Sequence, residues 1–315
     1  MLSIWLNLNF TYVCELKCKN KKSWEKMYPP PIKAAILLFF LSVVFSLTAL
    51  DNSDSLNGID LSDPSMIMML KITQAISALL IFILPAIFFV LFTSEKKLSY
   101  LKMGGFNILQ GAAALLLVFA AMPLINWSGE LNSHLSLPEF MSGLENWMKA
   151  KEESLKELTK IFLEMNTVGD LIVNIIIVAL LAAVGEELLF RGALQNVFVE
   201  WTKNIHFSVW VTAILFSALH AQFYGFIPRM LLGVVLGYLY IWSGSLWLPI
   251  LFHFLNNGMA VLFAFLAGKG IIPAETETVG SGDSPIYLVM ASAVICAGLL
   301  YYIYRKQPPP STEGV

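Results

Sequence analysis

Val184-Gly185-Glu186-Glu187-Leu188-Leu189-Phe190-Arg191-Gly192 lies within an apolar run that covers residues 169–198. A run of that length is enough to cross a bilayer, which takes about 20 residues of helix. Ionisable side chains at such a depth are costly unless they are paired or used, so three of them together mark a site. Helical geometry separates the three. Glu187 and Arg191 are four apart, share a face and can neutralise one another. Glu186 is turned about 100° away from Glu187 and stays outside that pair.

The surroundings place this stretch in a membrane protein. Of 315 residues, 57% are hydrophobic and 13% are charged, against about a quarter charged in soluble chains. Eight apolar spans are expected, at 33–50, 70–93, 107–125, 169–198, 206–223, 226–243, 246–266 and 286–304. The fold class is therefore all-α: a polytopic membrane protein of about eight transmembrane helices. Lys17, Lys19, Lys21, Lys22, Lys26 and Lys33 precede the first span, and Lys96, Lys97 and Lys102 follow the second. Lys203 follows the fourth, and Arg305 and Lys306 follow the last. Asp51, Asp54, Asp60 and Asp63 lie on the opposite side. The positive-inside rule puts both termini in the cytoplasm, and the plasma (inner) membrane is the expected location.

Organisation follows from the same pattern. Residues 1–32 read as a cytoplasmic extension whose apolar-then-basic order is the reverse of a signal peptide; Met27 is a second candidate start. Residues 33–125 hold three helices, and 126–168 form an extracytoplasmic loop. Within that loop, 144–162 mixes Lys and Glu with Leu at helical spacing, as an amphipathic surface helix does. A core at 169–266, a loop and last helix at 267–304, and a disordered tail at 305–315 complete the chain. Cys14, Cys18 and Cys296 read as free thiols. Gly233 and Gly237 form a GxxxG packing pattern. A net charge of −2 and the lack of a basic cluster give no footprint for nucleic acid.

Two of the four histidines lie deep in apolar spans, both in the half of the chain that holds the buried glutamates. His220 ends Phe216-Ser217-Ala218-Leu219-His220, and His253 and Asn257 are four apart in the seventh span. Glu186 lies 17 residues before Lys203 and His220 lies 17 after it, so a hairpin turning there sets the two at one depth. His253 is only nine residues beyond Gly244. Extended chain over 246–249 would raise it to the same level, since extended residues advance about twice as far as helical ones. A carboxylate and a histidine facing one pocket can deprotonate a water, while a second histidine and an amide can stabilise an oxyanion. Alternatively, Glu186, His220 and His253 supply three ligands to a catalytic zinc. Both arrangements hydrolyse an acyl bond.

These residues resemble the signature of the CPBP family, the CAAX proteases and bacteriocin-processing enzymes also called the Abi family, which are similar to type II CAAX prenyl proteases. The family pattern Glu-Glu-x-x-x-Arg, Phe-x-x-x-His and His-x-x-x-Asn is met by Glu186-Glu187 to Arg191, Phe216 to His220, and His253 to Asn257. The resemblance covers roughly residues 168–266. It implies an intramembrane endopeptidase, metal-dependent or glutamate-dependent, acting on a membrane-associated peptide or protein. Glu186 and His220 would activate water, His253 and Asn257 would stabilise the oxyanion, and Glu187, Arg191 and Phe216 would support them. A non-catalytic immunity or scaffolding member of the family is the alternative. An ion-coupled transporter is a third, disfavoured by the near absence of polar residues in the first three spans.

Overall fold

The computed structural model describes residues 64–93, 97–273, 276, 278–282 and 284–307. The span expected at 33–50, the extension 1–32, Cys14, Cys18, both candidate starts, the acidic loop and residues 308–315 lie outside the described residues. Among those described there is no strand. Eight helices organise the described residues: α1 (Ser65–Leu91), α2 (Ile108–Ser133), α3 (Ser142–Leu163), α4 (Val168–Thr202), α5 (Ile205–Ala218), α6 (Phe223–Ser243), α7 (Trp247–Gly268) and α8 (Ile286–Arg305). Six of them, α1, α2, α4, α6, α7 and α8, are long and apolar enough to cross a bilayer. The protein is an all-α polytopic membrane protein.

Two boundaries differ from expectation. The span expected at 206–223 is the 14-residue α5, about 21 Å long and too short to cross a bilayer alone. It stops because Ala221 adopts a left-handed backbone (φ 52°), leaving His220 in a turn just past the helix end. The helix expected to end at 125 continues to Ser133 in α2, so the connection beyond it is shorter than foreseen. The amphipathic helix expected at 144–162 is α3, with Glu145 and Lys149 paired at 2.8 Å.

Large apolar side chains such as Met69, Leu80, Phe88, Met290 and Val294 remain exposed on α1 and α8, as a lipid-facing surface requires. Inside, one apolar cluster joins α1, α4, α5 and the start of α7 around Phe190, Phe216 and Leu246. A second joins α2, α6, α7 and α8 around Leu117, Leu239, Phe252 and Cys296. Cys296 is a free thiol.

Small residues set how closely these helices approach. A Cβ on Gly233 would stand 3.1 Å from the Ala213 backbone of α5, and one on Gly237 would stand 2.9 Å from Val209. The expected GxxxG packing is therefore the α5–α6 contact. Gly185, just before the Glu186-Glu187 pair, likewise admits α1: its Cβ would lie 3.1 Å from Phe82.

Turns and polar caps fix the rest. Lys203 closes α4 in the left-handed region (φ 55°), and the Asn204 side chain accepts from Phe207 N to start α5. The expected α4–α5 hairpin is thus formed. Asn132, at the end of α2, donates to Phe223 O and accepts from Ile227 N at 2.8 Å each. It satisfies an unpaired amide of the first turn of α6.

α4 is not a uniform α-helix. Residues Ile175–Leu181 and Leu188–Gln195 are π-helical and flank the α-helical Ala182–Glu187. π-helical turns of this kind occur often at functional sites.

Candidate active site

The site is organised around Glu187. Its carboxylate is fully buried and its Oε1 accepts from Arg191 Nη1 at 2.7 Å, the pair expected from their spacing. The same oxygen accepts from His253 Nδ1 at 2.8 Å. Arg191 also donates from Nη2 to Gly233 O at 2.9 Å, and one turn on, Gln195 Nε2 donates to Gly237 O at 3.2 Å. The two glycines of α6 therefore bring carbonyl acceptors to two polar side chains of α4. These bonds offset part of the cost of burying the two charges, although Glu187 Oε2 and Arg191 Nε are left without a partner.

Glu186 has no such partners. Its Oε2 is buried without a hydrogen bond, and it lies 3.9 Å from both His220 Nε2 and His253 Nε2. The opposite nitrogens of the two rings settle their tautomers. His220 Nδ1 is 2.8 Å from Phe216 O, a carbonyl that can only accept, so Nδ1 carries the proton. His253 Nδ1 donates to the Glu187 carboxylate in the same way. In the neutral rings both Nε2 atoms therefore present lone pairs. Three acceptors converge on one point, an arrangement that a proton, a water or a cation between them would stabilise.

The matched depth of Glu186 and His220 is realised in that contact. His253 reaches the same level by a route other than the one expected. Residues 246–249 are not extended: Leu246 has α-region dihedrals and α7 begins at Trp247. Instead, the turn at Gly244 (φ 64°) is sunk into the protein. Ser245 and Leu246 are fully buried, Leu246 N donates to Lys102 O, and Ser245 Oγ donates to Gly104 O. A turn buried under the 101–104 segment starts α7 deeper than α5, which makes up for the shorter separation.

Phe216 sits where the pieces meet. Its ring lies 4.7 Å from the Arg191 guanidinium, and ring centroids are 5.0 Å from His220 and 6.0 Å from His253. Asn257 shares a helix face with His253, but its amide donates to Val178 O at 3.4 Å and its Oδ1 accepts from Asn256. In this structure it is engaged with a π-helical turn of α4. Sequence reading passed over Gln195 and also Arg229, which donates to Gln222 Oε1 beside His220. Arg229 matches no motif, although a charged residue inside an apolar run was signal enough to find it.

The donor set suits zinc in kind: two imidazole nitrogens, each anchored through its other nitrogen, and a carboxylate oxygen. Among the described residues, however, no three such side chains stand close enough to enclose a metal.

A polytopic helical bundle with a carboxylate–histidine cluster between its helices is the class that fold and site define. Within that class, residues 168–259 match the family described as Type II CAAX prenyl endopeptidase Rce1-like. That segment contains Glu186, Glu187, Arg191, Phe216, His220, His253 and Asn257, so the family resemblance drawn from the motifs is shown there. The family is one of proteases.

Two curated relatives are similar over part of the chain. A Bacillus subtilis (strain 168) protein named Uncharacterized protein YpbD is 35% identical over 90 residues, 27% of this chain and 43% of the relative. An Escherichia coli protein named Uncharacterized 24.3 kDa protein is 32% identical over 112 residues, 34% of this chain and 50% of the relative. The chain thus spans half or less of the length of these relatives. No solved structure matches it.

Proposed function

We propose that the protein is an intramembrane endopeptidase of the CAAX-protease type, cleaving a peptide bond of a membrane-associated peptide or protein. The observation that carries this reading is the convergence of Glu186 Oε2 with two histidine lone pairs at 3.9 Å. A water among these three atoms donates its protons to Glu186 and His220 and directs its oxygen lone pair outward. As it attacks the substrate carbonyl, one proton passes to Glu186 or His220 and the carbonyl oxygen becomes an oxyanion. The stored proton then moves to the departing amine as the C–N bond breaks. His253 donates to the oxyanion from Nε2 when it carries a second proton, and its Nδ1 bond to Glu187 keeps the ring aimed. Asn257 joins it by turning its amide away from Val178 O.

Glu186, His220 and His253 are also the residues that would hold a zinc ion, which when bound would polarise the water and the carbonyl. The setting is the plasma (inner) membrane with both termini in the cytoplasm, supported by the distribution of Lys and Arg among the connections.

The test compares membranes carrying wild type or Glu186→Ala and identifies, by mass spectrometry, the membrane-associated peptides that accumulate uncut in the variant. Metal content of the purified protein and the effect of a chelator on cleavage decide whether zinc takes part. Identical peptide profiles in the two membranes would overturn the reading and leave a non-catalytic member of the family.

A further inference from the structure

Arg229 occupies the second turn of α6 counted from Phe223, within a span where a guanidinium is expensive to keep. Its Nη2 donates to Gln222 Oε1, and Gln222 belongs to the same turn as His220. The guanidinium is thereby tied to one of the two water-activating residues. The hydrogen-bonded partner, Gln222, is neutral. Nη1 is buried and has no hydrogen-bond partner. A buried donor without an acceptor is unfavourable, more so when charged, and guanidinium is the side chain best suited to grip a carboxylate.

The surroundings leave room for that role. A Cβ on Gly225 would stand 3.2 Å from Nη2, so the glycine opens the space the guanidinium fills. Two carboxylates act on Arg229 electrostatically: Glu152 of α3, the stronger, and Glu186. Glu152 is buried, and its Oε2 also lacks a hydrogen-bond partner. Arg229 Nη1 and Glu152 Oε2 are thus both buried without a hydrogen bond.

We infer that Arg229 is a substrate-binding residue that takes a carboxylate of the peptide through its Nη1 edge, in competition with Glu152, and so sets which bond lies against Glu186 and His220. This rests on the endopeptidase reading. The carboxylate is either the C-terminus of the peptide or an Asp or Glu side chain, and both offer the same two oxygens to the guanidinium.

The experiment uses the full chain in detergent micelles and three synthetic pools of the same apolar peptide sequences. One pool is unmodified, one is amidated at the C-terminus, and one has Gln and Asn in place of Glu and Asp. Cleavage sites and initial rates are read by mass spectrometry. Wild type is expected to lose about tenfold or more in kcat/KM on one modified pool, carried mainly by KM. Loss on the amidated pool assigns the C-terminus; loss on the Gln/Asn pool assigns a side chain.

Arg229→Gln removes the preference, so that its rates on the three pools become equal, and an unchanged melting temperature in detergent shows that it folds. Arg229→Lys keeps the charge without the fork and retains part of the preference. Glu152→Gln, which removes the competitor, lowers KM for the preferred pool. Equal wild-type rates on all three pools overturn this inference and leave the endopeptidase standing. No cleavage of any pool by wild type, with Glu186→Ala equally inert, overturns both.

Discussion

The α2–α8 seam and the α4–α7 core both lie within the apolar bundle, yet they use polar groups differently. Along the seam the polar contacts are neutral and go to backbone carbonyls: Ser292 Oγ donates to Ala120 O, and Gln110 Nε2 reaches Ile303 O and Lys306 O. In the core, Glu186, Glu187, Arg191, His220, Arg229 and His253 gather among α4, α6, α7 and the turn after α5. Neutral bonds suffice to hold two helices together in lipid, where each contributes roughly 0.6 kcal/mol. The charges of the core are more than packing requires. The contrast extends to two neighbours on α4: Glu187 Oε1 is bonded to both Arg191 and His253, whereas the histidines nearest Glu186 Oε2 stand 3.9 Å away.

Replacing Glu186 gives the sharpest test of that difference. Glu186→Gln is nearly isosteric and removes the group that takes the proton. Cleavage is expected to fall about 10³- to 10⁴-fold with little change in thermal stability in detergent. His220→Ala should lose cleavage on a similar scale. A Glu186→Gln protein that cleaves normally would reduce Glu186 to one more buried polar residue, and the distinction between core and seam would lose its functional meaning.

Glu187 should behave in the opposite way. Glu187→Leu leaves the Arg191 guanidinium buried without its counter-charge, and a loss of about 3 kcal/mol or more in unfolding free energy is expected. Combining it with Arg191→Met replaces both charges by apolar groups of similar size and should recover most of that stability. Activity should not return with it, because His253 Nδ1 has lost its acceptor and the ring its orientation. Thermal melts and cleavage rates on the single and double variants check both halves. Recovery of activity in the double variant would show that Glu187 serves only to neutralise Arg191.

Much of this core could be read before any coordinates. The four-residue spacing of Glu187 and Arg191, and the equal distances of Glu186 and His220 from Lys203, depend on local helical geometry and a single turn. Both appear as contacts. What escaped reading depended on tertiary placement. The π-helical turns of α4 leave no mark in the apolar pattern. The Gly244 turn looks like any surface turn until Lys102 and Gly104 are seen covering it. The bond from His253 to Glu187 joins residues 66 positions apart, and no spacing rule predicts it. Asn257 looked like a partner of His253 because they share a helix face, but the helix it meets first is α4. Arg229 was visible as a charge in an apolar run, and matching motifs in place of counting charges is what hid it.

Smaller effects measure the seam. Ser292→Ala removes one side-chain hydrogen bond between α8 and α2 and leaves the Ala120 carbonyl still bonded within its own helix. A loss of about 0.6 kcal/mol is expected, with cleavage unchanged. A loss several times larger, or a change in rate, would mean that the seam is coupled to the site rather than a passive wall.

The smallest effect belongs to the charged pair farthest from both regions in kind. On α3, Lys149 hydrogen-bonds to Glu145 at 2.8 Å from a side chain that is 58% exposed, and that bond holds the Glu145 carboxyl below its ordinary range. A depressed folded-state pKa contributes stability above the unfolded value and loses it as pH falls through the folded one. The pair should therefore matter only at neutral pH and vanish in acid. Exposed pairs in water are weak and screened by salt, so Lys149→Ala should leave the melting temperature unchanged within error at pH 7 and at pH 3. If instead it lowers the melting temperature at pH 7 alone, α3 is held to the bundle by its surface charges.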